Sequence, residues 1–151
     1  MKTGSFFMRE ALKEALKGFK KDEVPVGAVI VKDGKIIARA HSQVRTRKDP
    51  TAHAEILAIK KAAKKLKYER LNGAQIFVTL EPCAMCAGAM VLARIEKIYF
   101  GVREPNTGAA GSVFNVVSNP SQNHRLKIEE GLLAEESSEL LKSFFRAKRK
   151  K

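Results

Sequence analysis

Short runs of β-branched residues alternate with stretches of helical periodicity along this chain, and this alternation constrains its fold more than any other feature. Apolar residues recur at helical spacing from Met8 to Phe19, and two strand-like runs then flank a hairpin turn at Asp33-Gly34. The order of predicted elements is αββαβαβ. Strands joined through helices run parallel and are covered on both faces. The pattern therefore predicts an α/β fold, a three-layer α/β/α sandwich.

The remaining elements are predicted with less regular patterns. Strands are expected at 26–31, 35–40, 75–80 and 97–101, with a short fifth one at 126–128. A helix cap is expected near Thr51, and Pro82 suits the first turn of the next helix. Residues 102–123 are rich in Gly, Pro, Asn and Ser, which predicts long functional loops. One or two closing helices should follow.

The length and the apolar runs bound the architecture. A chain of 151 residues holds one domain with a core and is too short for two ordinary ones, so a single domain over 1–151 is predicted. The longest apolar run, residues 84–93, is about half as long as the roughly 20 residues of a membrane-spanning helix. Arg9 and Glu10 follow Phe6 and Phe7 at once, which is unlike a signal peptide. A cytoplasmic protein without membrane contact is expected.

The charge balance points to a polyanionic partner. Lys and Arg number 29 against 16 Asp and Glu, which gives a net charge of +13. Such a field attracts nucleic acid, although a solvated basic surface without a partner is the alternative. The chain has only two cysteines, Cys83 and Cys86. In a cytoplasmic protein they favour metal binding or redox chemistry over a structural disulfide.

Three residues have the types and the spacing of metal ligands. His53 precedes the Cys83-Ala84-Met85-Cys86 motif by thirty residues, and the two sulfurs lie on successive turns of a predicted helix start. Three such ligands suit zinc and leave the fourth tetrahedral position open for water, which is typical of catalytic sites. Glu55 stands two residues after His53, where a carboxylate can transfer protons.

Two other interpretations of this motif remain open at this point. A redox-active cysteine pair would explain Cys83 and Cys86 but neither His53 nor Glu55. A structural zinc site would need a fourth ligand, and His41 or His124 can supply one. A structural site, however, has no use for a carboxylate beside its metal.

The motifs resemble those of a known family. His53-Ala54-Glu55 and Pro82-Cys83-Ala84-Met85-Cys86 match the H-x-E…P-C-x-x-C pattern of the zinc nucleobase deaminases. The segments 23–31, 49–56, 78–90 and 107–112, with the Phe144-Phe145-Arg146 tail, are similar to the bacterial tRNA-specific adenosine deaminases of the cytidine/deoxycytidylate deaminase superfamily. The loop TGAAGS and a basic C-terminal helix and tail at about 137–151 distinguish the tRNA branch.

This resemblance implies a cytidine-deaminase-like fold with a central sheet of about five strands, a homodimer, and one Zn²⁺ per chain held by His53, Cys83 and Cys86. The implied reaction is hydrolysis of a C–N bond of a cyclic amidine, which converts the wobble adenosine of a tRNA anticodon stem-loop to inosine. Glu55 would transfer the protons. The substrate-binding residues implied by the resemblance are Val26, Ser42, Ala54, Leu80, Glu104, Phe144, Phe145 and Arg146.

Two positions depart from the family pattern. Ser42 stands where an asparagine is usual, and Glu104 stands where an aspartate is common. A serine hydroxyl cannot grip a base edge in a bidentate manner. Burial of the two phenylalanines in the core of the last helix is the alternative to a role in RNA binding.

Two other functions are compatible with the zinc motif. A deaminase of a free base or nucleoside, of the guanine or cytosine type, would share the ligands but would not need the net charge of +13. A non-catalytic, zinc-stabilised RNA-binding module would not need Glu55.

Overall fold

The computed structural model describes residues 2–149, so Met1 and two residues of the predicted basic tail, Lys150 and Lys151, lie outside the described residues. The helices are α1 (Gly4–Lys20), α2 (Val44–Arg47), α3 (Ala54–Leu66), α4 (Ala84–Leu92) and α5 (Ala134–Arg149), and the strands are β1 (Gly27–Lys32), β2 (Lys35–His41), β3 (Gln75–Leu80), β4 (Lys97–Val102) and β5 (Lys127–Glu130). Among residues 2–149, no helix combines the length and the apolar character that crossing a membrane requires.

The five strands form one mixed sheet in the order β2-β1-β3-β4-β5. Strand β1 pairs antiparallel with both β2 and β3, whereas β3, β4 and β5 run parallel. Asp33 and Gly34 both have positive φ angles, 52° and 74°, as a tight two-residue hairpin turn requires. The predicted α/β class and the sheet of about five strands are therefore confirmed.

Helices cover both faces of this sheet because successive strand residues point to opposite sides. Ala28, Ile30, Ile76 and Val78 belong to the larger buried cluster, which α3 and α4 close. Val29, Val31 and Phe77 face the opposite way and pack against Phe7 and Met8 of α1. Helix α5 contacts α1, β3 and β4. The result is the predicted three-layer sandwich.

Several element bounds differ from the sequence predictions. Helix α3 begins at Ala54 with His53 as its N-cap, so the predicted cap near Thr51 is two residues early. Pro82 lies outside α4, whose N-cap is Cys83. One closing helix, α5, accounts for the C-terminal apolar pattern. The stretch between β4 and β5 is the predicted long loop, and its single isolated bridge joins Ala110 to Asn115.

The sequence pattern did not indicate the short helix α2, and the structure shows why it forms. Its N-cap residue, Gln43, makes no side-chain cap hydrogen bond. The buried carboxylate of Glu23 takes that role, because it accepts hydrogen bonds from the amides of Arg45 (3.1 Å) and Thr46 (2.7 Å) and from the Thr46 hydroxyl (2.5 Å). Burial alone would raise the pKa of Glu23, but these hydrogen bonds outweigh it and hold the pKa below its usual 4.5.

We expect Glu23→Gln to destabilise the protein at neutral pH by about 1–3 kcal/mol, because an amide presents one acceptor oxygen where the carboxylate presents two. A lowered folded-state pKa gives stability that is present above the usual value of 4.5 and is lost as the pH falls through the folded-state pKa. The gap in unfolding free energy between variant and parent should therefore narrow from pH 7 towards pH 3. Urea denaturation at a series of pH values measures it.

The exposed carboxylate of Glu139 on α5 offers a matched control, since Glu139→Gln should change the unfolding free energy little at any pH. A Glu23→Gln loss of equal size at neutral and acidic pH would contradict the role of the carboxylate charge.

Candidate metal centre and active-site cavity

The amino termini of two helices meet where β3 ends. His53 is the N-cap residue of α3 and Cys83 is that of α4, and neither side chain caps its own helix. Both side chains are therefore available to turn towards each other. Cys86 lies one turn into α4, so its sulfur lies on the same side as that of Cys83. Helix amino termini favour negative charge, which suits thiolates at this place.

The three ligand atoms have the spacing of a tetrahedral metal site. The Nδ1 atom of His53 lies 3.7 Å from the Cys83 Sγ and 3.4 Å from the Cys86 Sγ. A tetrahedral zinc ion with Zn–S of about 2.3 Å and Zn–N of about 2.0–2.1 Å sets such nitrogen and sulfur atoms roughly 3.5 Å apart. All three ligand atoms lie within 4.8 Å of one another. The donor set thus fits a zinc ion in both chemistry and spacing.

The other two histidines lie away from this cluster. His41 ends β2 and its Nδ1 lies 3.6 Å from a carboxylate oxygen of Glu14, while the His124 ring is 2.7 Å from the carbonyl of Ile95. Among residues 2–149, the side chains placed together to hold a metal ion are those of His53, Cys83 and Cys86. Neither His41 nor His124 supplies the fourth ligand that a structural site would need.

The thiols and the imidazole perturb one another. Hydrogen bonds from Cys86 and His53 lower the pKa of Cys83 to about 3. The same contact with Cys83, together with burial, raises the pKa of Cys86. The hydrogen bond with Cys83 also raises the pKa of His53. Cys83 is therefore a thiolate at neutral pH, which is the form that binds metals.

Glu55 lies in the first turn of α3, beside the cluster. Its side chain is buried. Burial raises the pKa of Glu55. A carboxyl group whose charged form is disfavoured can take up a proton and pass it on, which suits general acid–base chemistry.

The cluster opens onto a cavity of about 330 Å³. His53, Cys83 and Glu55 form part of its wall, and five of the predicted substrate-binding residues also line it: Val26, Ser42, Ala54, Leu80 and Glu104. Sequence reasoning missed further lining residues, namely Glu23, Val24, Val44, Arg45, Glu81 and Thr107. Most of these lie on loops that only the tertiary fold brings to the cavity.

The three predicted residues of α5 do not line this cavity. Phe144 is only 6% exposed, and its ring centroid lies 6.1 Å from that of Phe19 on α1. Phe145 is 47% exposed and lines a neighbouring depression of about 480 Å³. Arg146 is exposed, with Glu139 at 3.9 Å.

That neighbouring depression adjoins the cavity and carries positive charge. Val24, Leu80 and Glu104 line both. Cationic side chains from two elements reach the depression beside Phe145: Arg103, Lys142 and Arg149. Arg103 is paired with Glu130 through two hydrogen bonds of 2.6 and 2.7 Å.

Comparison with known proteins shows which family the chain belongs to. The family model of the MafB19-like deaminases matches residues 4–149. A tRNA-specific adenosine deaminase of Aquifex aeolicus is 52% identical over 141 residues, which cover 93% of each chain.

Solved structures of deaminases are similar to this chain over most of its length. One from a study of A-to-I editing by tRNA:A34 deaminases at the wobble position of transfer RNA has a TM-score of 0.87 at 46% identity, over 91% of this chain and 99% of that chain. Guanine deaminase from Bacillus subtilis has a lower TM-score of 0.66 at 32% identity, over 99% of this chain and 96% of that chain. On its family model and its full-length relative, the chain belongs to the tRNA-specific adenosine deaminase family, as its motifs predicted.

Proposed function

We propose that this protein hydrolyses the wobble adenosine of a tRNA anticodon to inosine, with release of ammonia. Membership of the tRNA-specific adenosine deaminase family confirms that the chain is a deaminase. The observation that carries the chemistry is the three-ligand cluster on the cavity wall with buried Glu55 beside it. In the reaction, water adds to C6 of the base and the C6–N bond breaks.

His53, Cys83 and Cys86 would hold the metal, for which their donor set fits zinc. When bound, zinc supplies Lewis-acid activation of water. Glu55 takes one proton from the attacking water and delivers it to N1 of the base. It then takes the second proton from the hydroxyl added at C6 and delivers it to the departing amine, so that C6 becomes a carbonyl and ammonia leaves. One carboxylate is sufficient because it alternates between base and acid.

The cavity wall supplies the base-binding residues. Val26, Ala54 and Leu80 give apolar surface for the faces of a base, and Ser42 and Glu104 give polar atoms for its edge and its sugar. A volume of about 330 Å³ is at the lower end of the range of about 300–1,000 Å³ for small-molecule sites. A single nucleoside fits such a space and a base pair does not. The target nucleotide must therefore be unstacked, as an anticodon loop allows.

The depression next to the cavity is proposed to bind the flanking nucleotides. Phe145 offers an exposed ring for stacking, and Lys142 and Arg149 offer cations for phosphates. Phe144 supports this surface from below, since the two rings meet edge to face at 5.4 Å. Arg146 lies on the same helix and remains a predicted phosphate contact. A free-base deaminase would need none of these groups.

A homodimer is proposed through α4. Met85 and Leu92 are two turns apart on one face of this helix and are 37% and 81% exposed. Gly88 lies between them, and a Cβ atom there would meet nothing within 4 Å. An exposed leucine beside small residues allows close approach of another helix, and we assign this face to a second copy of the chain. A cytoplasmic location and a single domain over 1–151 remain predictions from the sequence.

Substitutions at this site separate proton transfer from metal binding. Glu55→Gln should retain about one zinc per chain and the fold, but lose at least about 10²-fold in kcat, the lower end of what a general acid–base contributes. His53→Ala should lose both the metal and the activity. Metal analysis and inosine release from an anticodon stem-loop measure the two effects. A Glu55→Gln enzyme with near-parental kcat would contradict the assigned role.

The RNA-binding role of the basic depression depends on its cationic side chains. Lys142→Ala and Arg149→Ala should each weaken stem-loop binding and flatten the plot of log affinity against log salt by about 0.7–0.9 per lost phosphate contact. Lys64→Ala, on the outer face of α3, is the matched control and should leave the slope unchanged. A flatter slope for Lys64→Ala, with unchanged slopes for Lys142→Ala and Arg149→Ala, would contradict this proposal and assign RNA binding to the lysines of α3.

The proposed dimer depends on the exposed face of α4. Leu92→Arg places a charge on the exposed face of α4 and should shift the mass in solution from two chains to one, as measured by sedimentation equilibrium. Leu16→Arg alters a leucine of α1 that is 43% exposed, and should leave the mass unchanged. A parental protein that sediments as a single chain at micromolar concentration would contradict the proposal.

A further inference from the structure

Glu81 places a buried carboxylate in the wall of the cavity. The residue follows β3 directly and is 2% exposed. One carboxylate oxygen accepts hydrogen bonds from the Glu104 amide (3.0 Å) and the Ser112 hydroxyl. The other accepts from the amides of Ala110 and Ser112, each at 3.0 Å. All four donors belong to one loop, residues 104–112, which is therefore wrapped around a single charged group.

The loop is shaped to fit this carboxylate. A Cβ atom on Gly108 would lie 2.4 Å from the Glu81 carboxyl carbon and 2.5 Å from the Glu104 carbonyl oxygen. Only a glycine allows the loop backbone to approach so closely. The Ala109 amide also donates to the Pro82 carbonyl at 2.8 Å, so the loop is fixed to the segment that precedes α4.

This loop carries two residues that face the cavity, Glu104 and Thr107. Glu104 also lines the adjoining basic depression. It therefore stands at the junction through which a nucleotide in the cavity continues into its neighbours. The Glu104 side chain in turn accepts a hydrogen bond from the Asn106 amide at 2.8 Å.

The opposite rim is built in the same way. Glu23 is 1% exposed and accepts hydrogen bonds from the amides of Arg45 and Thr46. Val44 and Arg45 of that segment line the cavity from the other side. Two buried carboxylates thus fix the two walls of the cavity through backbone amides, at positions outside the ligand cluster.

We propose that Glu81 is a positioning residue for RNA binding, which holds the 104–112 loop in the conformation that presents Glu104 and Thr107 to the substrate. The inference rests on the proposed function. Both oxygens of Glu81 are engaged by the loop, so its effect on the substrate passes through the loop backbone. Disordering the loop removes a binding surface remote from C6, which raises KM more than it lowers kcat.

A different role is compatible with its place in the chain. Glu81 stands two residues before Cys83, so it can instead serve the geometry of the ligand cluster. Loss of the residue would then reduce metal content and kcat together. The two roles differ in what they do to KM, to metal content and to the loop amides.

The experiment compares Glu81→Gln with the parent and with Glu10→Gln. Glu10 is a buried carboxylate of α1 outside the cavity, so its variant controls for neutralising a buried charge. In Glu81→Gln the new NH₂ group faces amide donors, because the amide supplies one acceptor oxygen in place of two. Zinc content, stem-loop kinetics and amide hydrogen exchange are measured on all three proteins.

We expect Glu81→Gln to retain its zinc, to raise KM by about tenfold or more and to keep kcat within about twofold, because amide donors that hold the loop lose their charged acceptor. Exchange of the Glu104, Ala110 and Ser112 amides should accelerate, whereas that of α3 and α4 amides should not. Glu10→Gln should match the parent in KM.

Loss of zinc together with loss of kcat would overturn the proposal and show that Glu81 supports the ligand cluster. Faster exchange of the loop amides with an unchanged KM would also overturn it. If Glu81→Gln does not fold, Ser112→Ala removes one donor to the same carboxylate and should raise KM in the same direction by a smaller factor. An unchanged KM there overturns the proposal. A parent enzyme that produces no inosine would instead refute the proposed function, and the exchange measurement distinguishes that case.

Discussion

The meeting of two helix amino termini at the end of β3 is the constraint on which the rest of this structure depends. It brings a histidine and two cysteines from segments thirty residues apart to within 3.4–3.7 Å. The sheet makes this possible because β3 passes directly through Glu81 and Pro82 into α4, while α3 packs across β1 and β2 beside it. His53 and Cys83 are N-cap residues whose side chains make no capping hydrogen bond. The site therefore costs α3 and α4 one stabilising hydrogen bond each, typically about 1 kcal/mol.

The loops around this site are held by charge as well as by apolar burial, since Ala109 and Ala110 of the 104–112 loop also lie in the core. The segments that form the rims of the cavity cannot form a core of their own, and their buried backbone amides need hydrogen-bond acceptors. Glu23 and Glu81 provide those acceptors from inside the protein. A buried carboxylate with several amide donors is stable, whereas the same group without them would be costly. This arrangement keeps the rims rigid without filling the cavity that they enclose.

The sequence was sufficient for the features that depend on local spacing. The hairpin at Asp33-Gly34 and the order of strands and helices follow from patterns within a few residues. The ligand set joins motifs thirty residues apart and remains a prediction. Val26, Ser42, Ala54, Leu80 and Glu104 were placed by resemblance, and the structure brings them to one cavity. Their roles in binding remain predictions.

The sequence could not indicate features that depend on distant partners. Glu23 accepts hydrogen bonds from α2 and Glu81 accepts them from the 104–112 loop, 22 to 31 residues away along the chain. Both residues lie in segments that carry the family resemblance, but no local pattern indicates these partners. Phe144 and Phe145 are neighbours of the same type, yet one packs against Phe19 and the other faces solvent. Only the position of α1 beneath α5 decides which ring is buried. Helix α2 has four residues, too few to show a periodicity.

Three buried carboxylates surround the cavity, and their environments separate their roles. Burial would raise the pKa of all three, but hydrogen bonds from Thr46 and Arg45 hold the pKa of Glu23 low, and those from Ser112, Glu104 and Ala110 do the same for Glu81. Burial prevails at Glu55, whose pKa is raised. A carboxylate that keeps its charge anchors amides, and one whose charged form is disfavoured exchanges protons. A glutamate side chain thus serves either as an anchor in the cavity wall or as a proton carrier in the reaction. The number of backbone donors around the carboxylate determines which of the two roles it has.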